Sequence, residues 1–89
     1  MTAWVLRPEG AAKEFGVKDV VFYDYYEGAD LFFSLARGAE RVFDTVTQVQ
    51  LPDGGLRQSH YLDGKWYSGA VLEPVDDDEL IELPEVAHA

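Results

Sequence analysis

Along this chain the apolar positions fall into short blocks that mostly alternate with period two, and turn residues separate the blocks. Ala3 to Arg7 (Ala-Trp-Val-Leu-Arg) predicts a first strand, stopped by Pro8. Ala11 to Phe15 has the composition of one helical turn before Gly16. Val20 to Tyr26 (Val-Val-Phe-Tyr-Asp-Tyr-Tyr) is β-branched and aromatic almost throughout and predicts a second strand. Val20, Phe22 and Tyr26 would share one face, and Val21, Tyr23 and Tyr25 the other. Bulk on both faces predicts a central strand, or one whose second face a partner covers.

Glu27 to Asp30 reads as a turn. After it, Leu31, Phe32, Leu35, Ala36 and Ala39 recur at helical spacing, with Asp30 as N-cap and Gly38 just past the end, which predicts a short helix over Asp30 to Arg37. The competing reading takes Leu31, Phe33 and Leu35 at period two and makes the segment the return strand of a hairpin. From Arg41 the alternation is cleaner. Arg41 to Leu51, Leu56 to Leu62 and Trp66 to Leu72 predict three strands, joined by Pro52-Asp53-Gly54-Gly55 and by Asp63-Gly64. Residues 41–73 thus form an antiparallel β-meander.

These elements make one domain over residues 1–89, of α+β class, with about five mainly antiparallel strands and one short helix. An all-β small barrel is the alternative. The expected core is Trp4, Leu6, Val20, Phe22, Leu31, Leu35, Phe43, Val49, Leu62, Trp66 and Leu72. A core Trp66 would make Trp66→Ala cost about 3–5 kcal/mol. Residues 84–89 read as a frayed tail behind Pro84, and Leu80, Ile81 and Leu83 as a short edge strand or a segment docked on the core.

Charge changes the picture most. Seventeen Asp and Glu against seven Lys and Arg give a net charge of −10. Such a chain is repelled by nucleic acid and by anionic membranes and favours a protein partner with a basic surface. Residues 73–89 alone carry seven acids and no Lys or Arg. The chain has no cysteine, its start does not resemble a signal peptide, and no stretch reaches the length of a membrane span, which together lead us to expect a cytoplasmic protein.

Candidate chemistry is sparse. His88 is next to the end of the chain, and His60 lies mid-strand beside Ser59, whose side chain must point to the opposite face, so the two cannot act as base and nucleophile together. Asp76-Asp77-Asp78-Glu79 lacks the alternate spacing and the glycine of a calcium loop, and Pro52-Asp53-Gly54-Gly55 lacks the Lys and Ser/Thr of a phosphate loop. We therefore expect no catalytic residues, no metal and no cofactor.

Two groups remain as partner-binding candidates: the acids Asp76, Asp77, Asp78, Glu79 and Glu82, and the tyrosines Tyr23, Tyr25 and Tyr26 beside Asp24 and Glu27. Carboxylates along a short segment mimic phosphate spacing and suit a basic nucleic-acid channel. The expected function is accordingly a non-catalytic inhibitor or decoy that occupies the basic surface of a nucleic-acid-handling partner. Phage-type counter-defence proteins, such as anti-CRISPR and anti-restriction proteins, and immunity proteins work by this logic; the parallel is one of size and charge. The alternatives are an assembly module, including a homodimer, built on the tyrosine strand, and a small ligand-binding domain, which a pocket holding His60 with a carboxylate would favour.

Overall fold

The computed structural model describes residues 2–10, 13, 16, 18–76 and 87–88. In chain order the elements are β1 (Thr2–Pro8), β2 (Val20–Phe22), α1 (Tyr25–Ala39), β3 (Thr45–Gln50), β4 (Leu56–Leu62), β5 (Lys65–Asp76) and β6 (Ala87–His88). The strands form one sheet in the order β3-β4-β5-β1-β2-β6. All neighbours are antiparallel except β2 and β6. The sheet is open, and α1 packs across one face. The class is the expected α+β, and the barrel alternative does not hold.

The meander forms where the turn chemistry places it. Asp63 (φ 51°) and Gly64 (φ 82°) both take positive φ between Leu62 and Lys65, the two-residue hairpin geometry that an Asp-Gly pair favours. At the other hairpin the Leu51 N–H donates to the Gly55 carbonyl at 2.8 Å, and the Asp53 carboxylate accepts from the Gly55 N–H at 2.8 Å. β5 runs past Leu72 to Asp76, and its second half pairs with the whole of β1, from Thr2↔Asp76 to Pro8↔Ala70. Pro74 interrupts the strand signal in the sequence but is tolerated. The pairing with β4 ends at Leu56↔Leu72, so at Pro74 the strand has β1 as its neighbour and no ladder on the β4 side.

The second strand is shorter than expected and the helix longer. β2 stops at Phe22, and α1 starts at Tyr25, five residues before the expected Asp30. Asp24 is the N-cap, with extended backbone (φ −109°, ψ 123°) and a side chain that accepts from the Tyr26 N–H. The reason is the apolar stripe. Tyr25, Gly28, Ala29, Phe32, Leu35, Ala36 and Ala39 recur at helical spacing, and this tertiary face outweighs the strand preference of consecutive tyrosines. Gly28 lets α1 approach the sheet closely, since a Cβ there would lie 3.0 Å from Leu72 and 3.3 Å from Phe22.

Under α1 lies the main core: Leu6, Phe22, Ala29, Phe32, Leu56, Ala70 and Leu72, with Trp4, Val20, Leu31 and Leu35 packed at its border. Ala3, Val5, Val21 and Val75 form a smaller buried cluster, which the register places on the opposite face. Beside that cluster Arg7 Nε lies 2.7 Å from Glu73 Oε1. Four expected core residues fall outside: Phe43 and Leu62 are only half-buried, while Trp66 and Val49 are 55% and 56% exposed. Trp66 and Val49 lie on the face of the β3-β4-β5 hairpins turned away from α1, where Trp66 has the Tyr61 ring at 5.0 Å and no covering layer among the described residues.

The expected segment at residues 11–15 lies outside the described residues except for Lys13, and Leu80, Ile81, Leu83 and Pro84 lie outside them too. Of residues 84–89, Ala87 and His88 are described, as the strand that pairs with Val20 and Val21.

The two large aromatic positions give a direct check of this core. Phe32→Ala should cost about 3–5 kcal/mol and Trp66→Ala about 1 kcal/mol or less, measured by urea unfolding. A larger loss at Trp66 than at Phe32 would contradict the assignment of the core.

Candidate functional site

The sheet is longer than the helix that covers it. Fifteen residues of α1 span about 22 Å, while the molecule's long axis is 41 Å. The last turns of α1 face the β4–β5 hairpin. There an apolar pocket of about 350 Å³ opens, lined by Leu35 and Ala39 of α1, Phe43 of the following turn, Gln58, His60 and Leu62 of β4, Tyr67, Ser68 and Gly69 of β5, and Glu9 just after β1.

Period-two alternation puts Gln58, His60 and Leu62 on the α1 face of β4. Gln58 is fully buried and bonds on both sides. Its Nε2 donates to the Phe32 carbonyl of α1 at 2.9 Å, and its Oε1 lies 2.8 Å from His60 Nε2. An amide oxygen only accepts, so His60 Nε2 must carry the proton in this contact. In neutral His60 that leaves Nδ1 as an acceptor. Burial lowers the His60 pKa below 6.5 and favours the neutral form. Phe43 packs against the imidazole, with ring centres 4.6 Å apart.

Gly69 makes room for this arrangement. It has no partner in the β4–β5 ladder, which steps from Gln58↔Ala70 to Ser59↔Ser68, so it forms a β-bulge. A Cβ at Gly69 would collide with the His60 ring and come within 2.9 Å of Gln58 Cγ. Glu9 is tied beside the bulge by its N–H, which donates to the Gly69 carbonyl at 2.9 Å. One Glu9 carboxylate oxygen, Oε1, is out of solvent and has no hydrogen-bond partner among the described residues.

The sequence candidates are distributed differently. Tyr23 and Tyr26 are 54% and 76% exposed, and Asp24, Glu27 and Asp30 are exposed near them. Tyr25 turns inward and packs on Trp4 at 4.8 Å. The three tyrosines are not on a strand. Tyr23 lies in the bend after β2, and Tyr25 and Tyr26 lie in the first turn of α1. Asp76 is exposed at the end of β5, while Asp77, Asp78, Glu79 and Glu82 lie outside the described residues. No group of acids, histidines or cysteines suited to a metal ion occurs among the described residues, and no helix there is long and apolar enough to cross a membrane. No protein-family model, curated protein or solved structure matches the chain.

Period two alone could have put Gln58, His60 and Leu62 on one face. Glu9 and Gly69 carried no local signal, because their role depends on β1 and β5 being neighbours.

The lowered His60 pKa has a consequence for stability. Between the folded pKa and 6.5 the unfolded chain binds the proton that the folded chain resists, so stability is complete above pH 6.5 and declines as pH falls through that window. His60→Gln should flatten this part of the stability profile in urea titrations at closely spaced pH. An unchanged slope would assign the decline to other groups.

Proposed function

We propose that this domain is a non-catalytic binder of a small, largely apolar molecule that carries a hydrogen-bond donor, and that the pocket at the last turns of α1 is its site. The observation that carries the reading is an apolar cavity whose lining includes His60, with its pKa lowered by burial, and Glu9. The volume is at the lower end of the range for small-molecule sites, about 300–1,000 Å³. Leu35, Ala39, Phe43, Leu62 and Tyr67 offer surface to a ring or short chain. An amine or N–H group would find an acceptor in the Glu9 side chain of the lining, whereas a carboxylate would meet like charge. His60 uses Nε2 to hold Gln58, and among the described residues it makes no hydrogen bond to a hydroxyl, which favours binding over nucleophilic catalysis. The lack of cysteine suits a reducing, cytoplasmic setting for this role.

Fragments of matched size separate the end groups. In NMR titrations, 2-phenylethylamine should shift the signals of Phe43, His60 and Tyr67, and phenylacetate should not. Glu9→Gln should weaken the amine by about tenfold. Equal binding of both fragments, or of neither, would remove the reading.

The acidic protein-partner reading stands second, favoured by the exposed Tyr23 and Tyr26 among Asp24, Glu27 and Asp30. Aromatic side chains rimmed by acids suit a basic protein surface such as that of a nucleic-acid-handling machine. A basic protein that binds this chain in pull-downs at low salt should be lost at high salt. The loss should also follow from Tyr26→Ala, or from joint replacement of Asp76, Asp77 and Asp78 by Asn. Capture indifferent to salt and to both sets of substitutions would rule this reading out.

A further inference from the structure

Among the described residues the outer edge of β3 is an uncovered strand edge. β3 is terminal in the sheet, and five of its six residues are exposed. Soluble proteins usually protect such an edge with lysine, proline, a bulge or a covering segment. The strand Thr-Val-Thr-Gln-Val-Gln contains neither lysine nor proline and keeps an unbroken register with β4 from Thr45↔Tyr61 to Gln50↔Leu56. It also lies in the longest uncharged run of the chain, residues 45–52. A chain of net charge −10 that meets its own copy is repelled almost everywhere else.

The phase of the β3–β4 ladder shows which main-chain groups are available. The Leu51 N–H bonds to the Gly55 carbonyl, so Leu51, Val49, Thr47 and Thr45 direct their N–H and C=O groups toward β4. Val46, Gln48 and Gln50 direct theirs outward. A two-fold axis perpendicular to the sheet keeps each side chain on its own face, so only residues of equal parity can oppose one another.

We infer that β3 pairs antiparallel with β3 of a second copy of this chain, in the register that sets Gln48 against Gln48 of the second copy. Val46 then exchanges main-chain bonds with Gln50 of the second copy. Thr47 and Val49 meet across the junction as a β-branched pair, on the face away from α1. The nearest carboxylates, Asp44 and Asp53, flank the strand and do not interrupt it. Because the paired edge is short, the dimer is weak. Because both copies are acidic, added salt strengthens it, opposite to the behaviour of a basic partner.

Sedimentation equilibrium on the full chain tests this. The average mass should rise from monomer toward dimer between about 10 µM and about 1 mM. Association should be tighter at about 0.5 M salt than at about 0.05 M. Gln48→Pro removes an outward N–H, so it should keep the fold and abolish the dimer. Val49→Pro removes an inward N–H and should destabilise the monomer itself. If Gln48→Pro fails to fold, Gln48→Lys keeps the ladder, places like charges on the two-fold axis, and should weaken association at least tenfold. A chain that stays monomeric at about 1 mM in both salts, or a dimer unchanged in a folded Gln48 variant, would overturn the inference.

Discussion

The buried amide of Gln58 joins the two layers of this domain. Its nitrogen holds a carbonyl of α1 and its oxygen holds His60, so one side chain fixes both the seat of the helix on the sheet and the orientation of the imidazole. A buried amide is costly unless both ends are bonded. Here both are, and each bond constrains a different element. Displacing α1 along the sheet would orphan the Gln58 nitrogen, and rotating His60 away would orphan its oxygen.

The bulge at Gly69 is the complementary device on β5. It removes the side chain that would occupy the imidazole's position, and its carbonyl anchors the Glu9 backbone. Gln58, Gly69 and the end of α1 thus create the pocket together. The cavity lies at the last turns of the helix, and its polar wall is bonded into the core through Gln58 and His60.

The molecule separates its surfaces by chemistry. Exposed tyrosines and acids gather at the start of α1, the apolar pocket lies at its last turns, and an uncharged edge runs along β3. These are the places proposed above for a basic protein, a small donor-bearing molecule and a second copy of the chain. High net charge discourages nonspecific contact elsewhere and leaves the few uncharged or concave places as the sites where association costs least.

Local chemistry in the sequence was sufficient for the meander. Asp63-Gly64 and Pro52 to Gly55 specify tight turns without help from distant residues, and the alternation of Gln58, His60 and Leu62 assigns them to one face. The α+β class and a helix including Leu31 to Ala36 were legible for the same reason. The start of that helix was not. Tyr25 and Tyr26 favour a strand locally, and only the stripe that Gly28, Ala29 and Phe32 press onto Leu72 and Phe22 makes them helical. Burial of Trp66 was equally undecidable, since alternation shows which residues share a face and not which face is covered. The pocket was hidden most deeply. Glu9 lies 51 residues before His60 in the sequence. They line one cavity because β1 pairs with β5 and β5 with β4, and that order of strands is set by the packing of the whole sheet against α1.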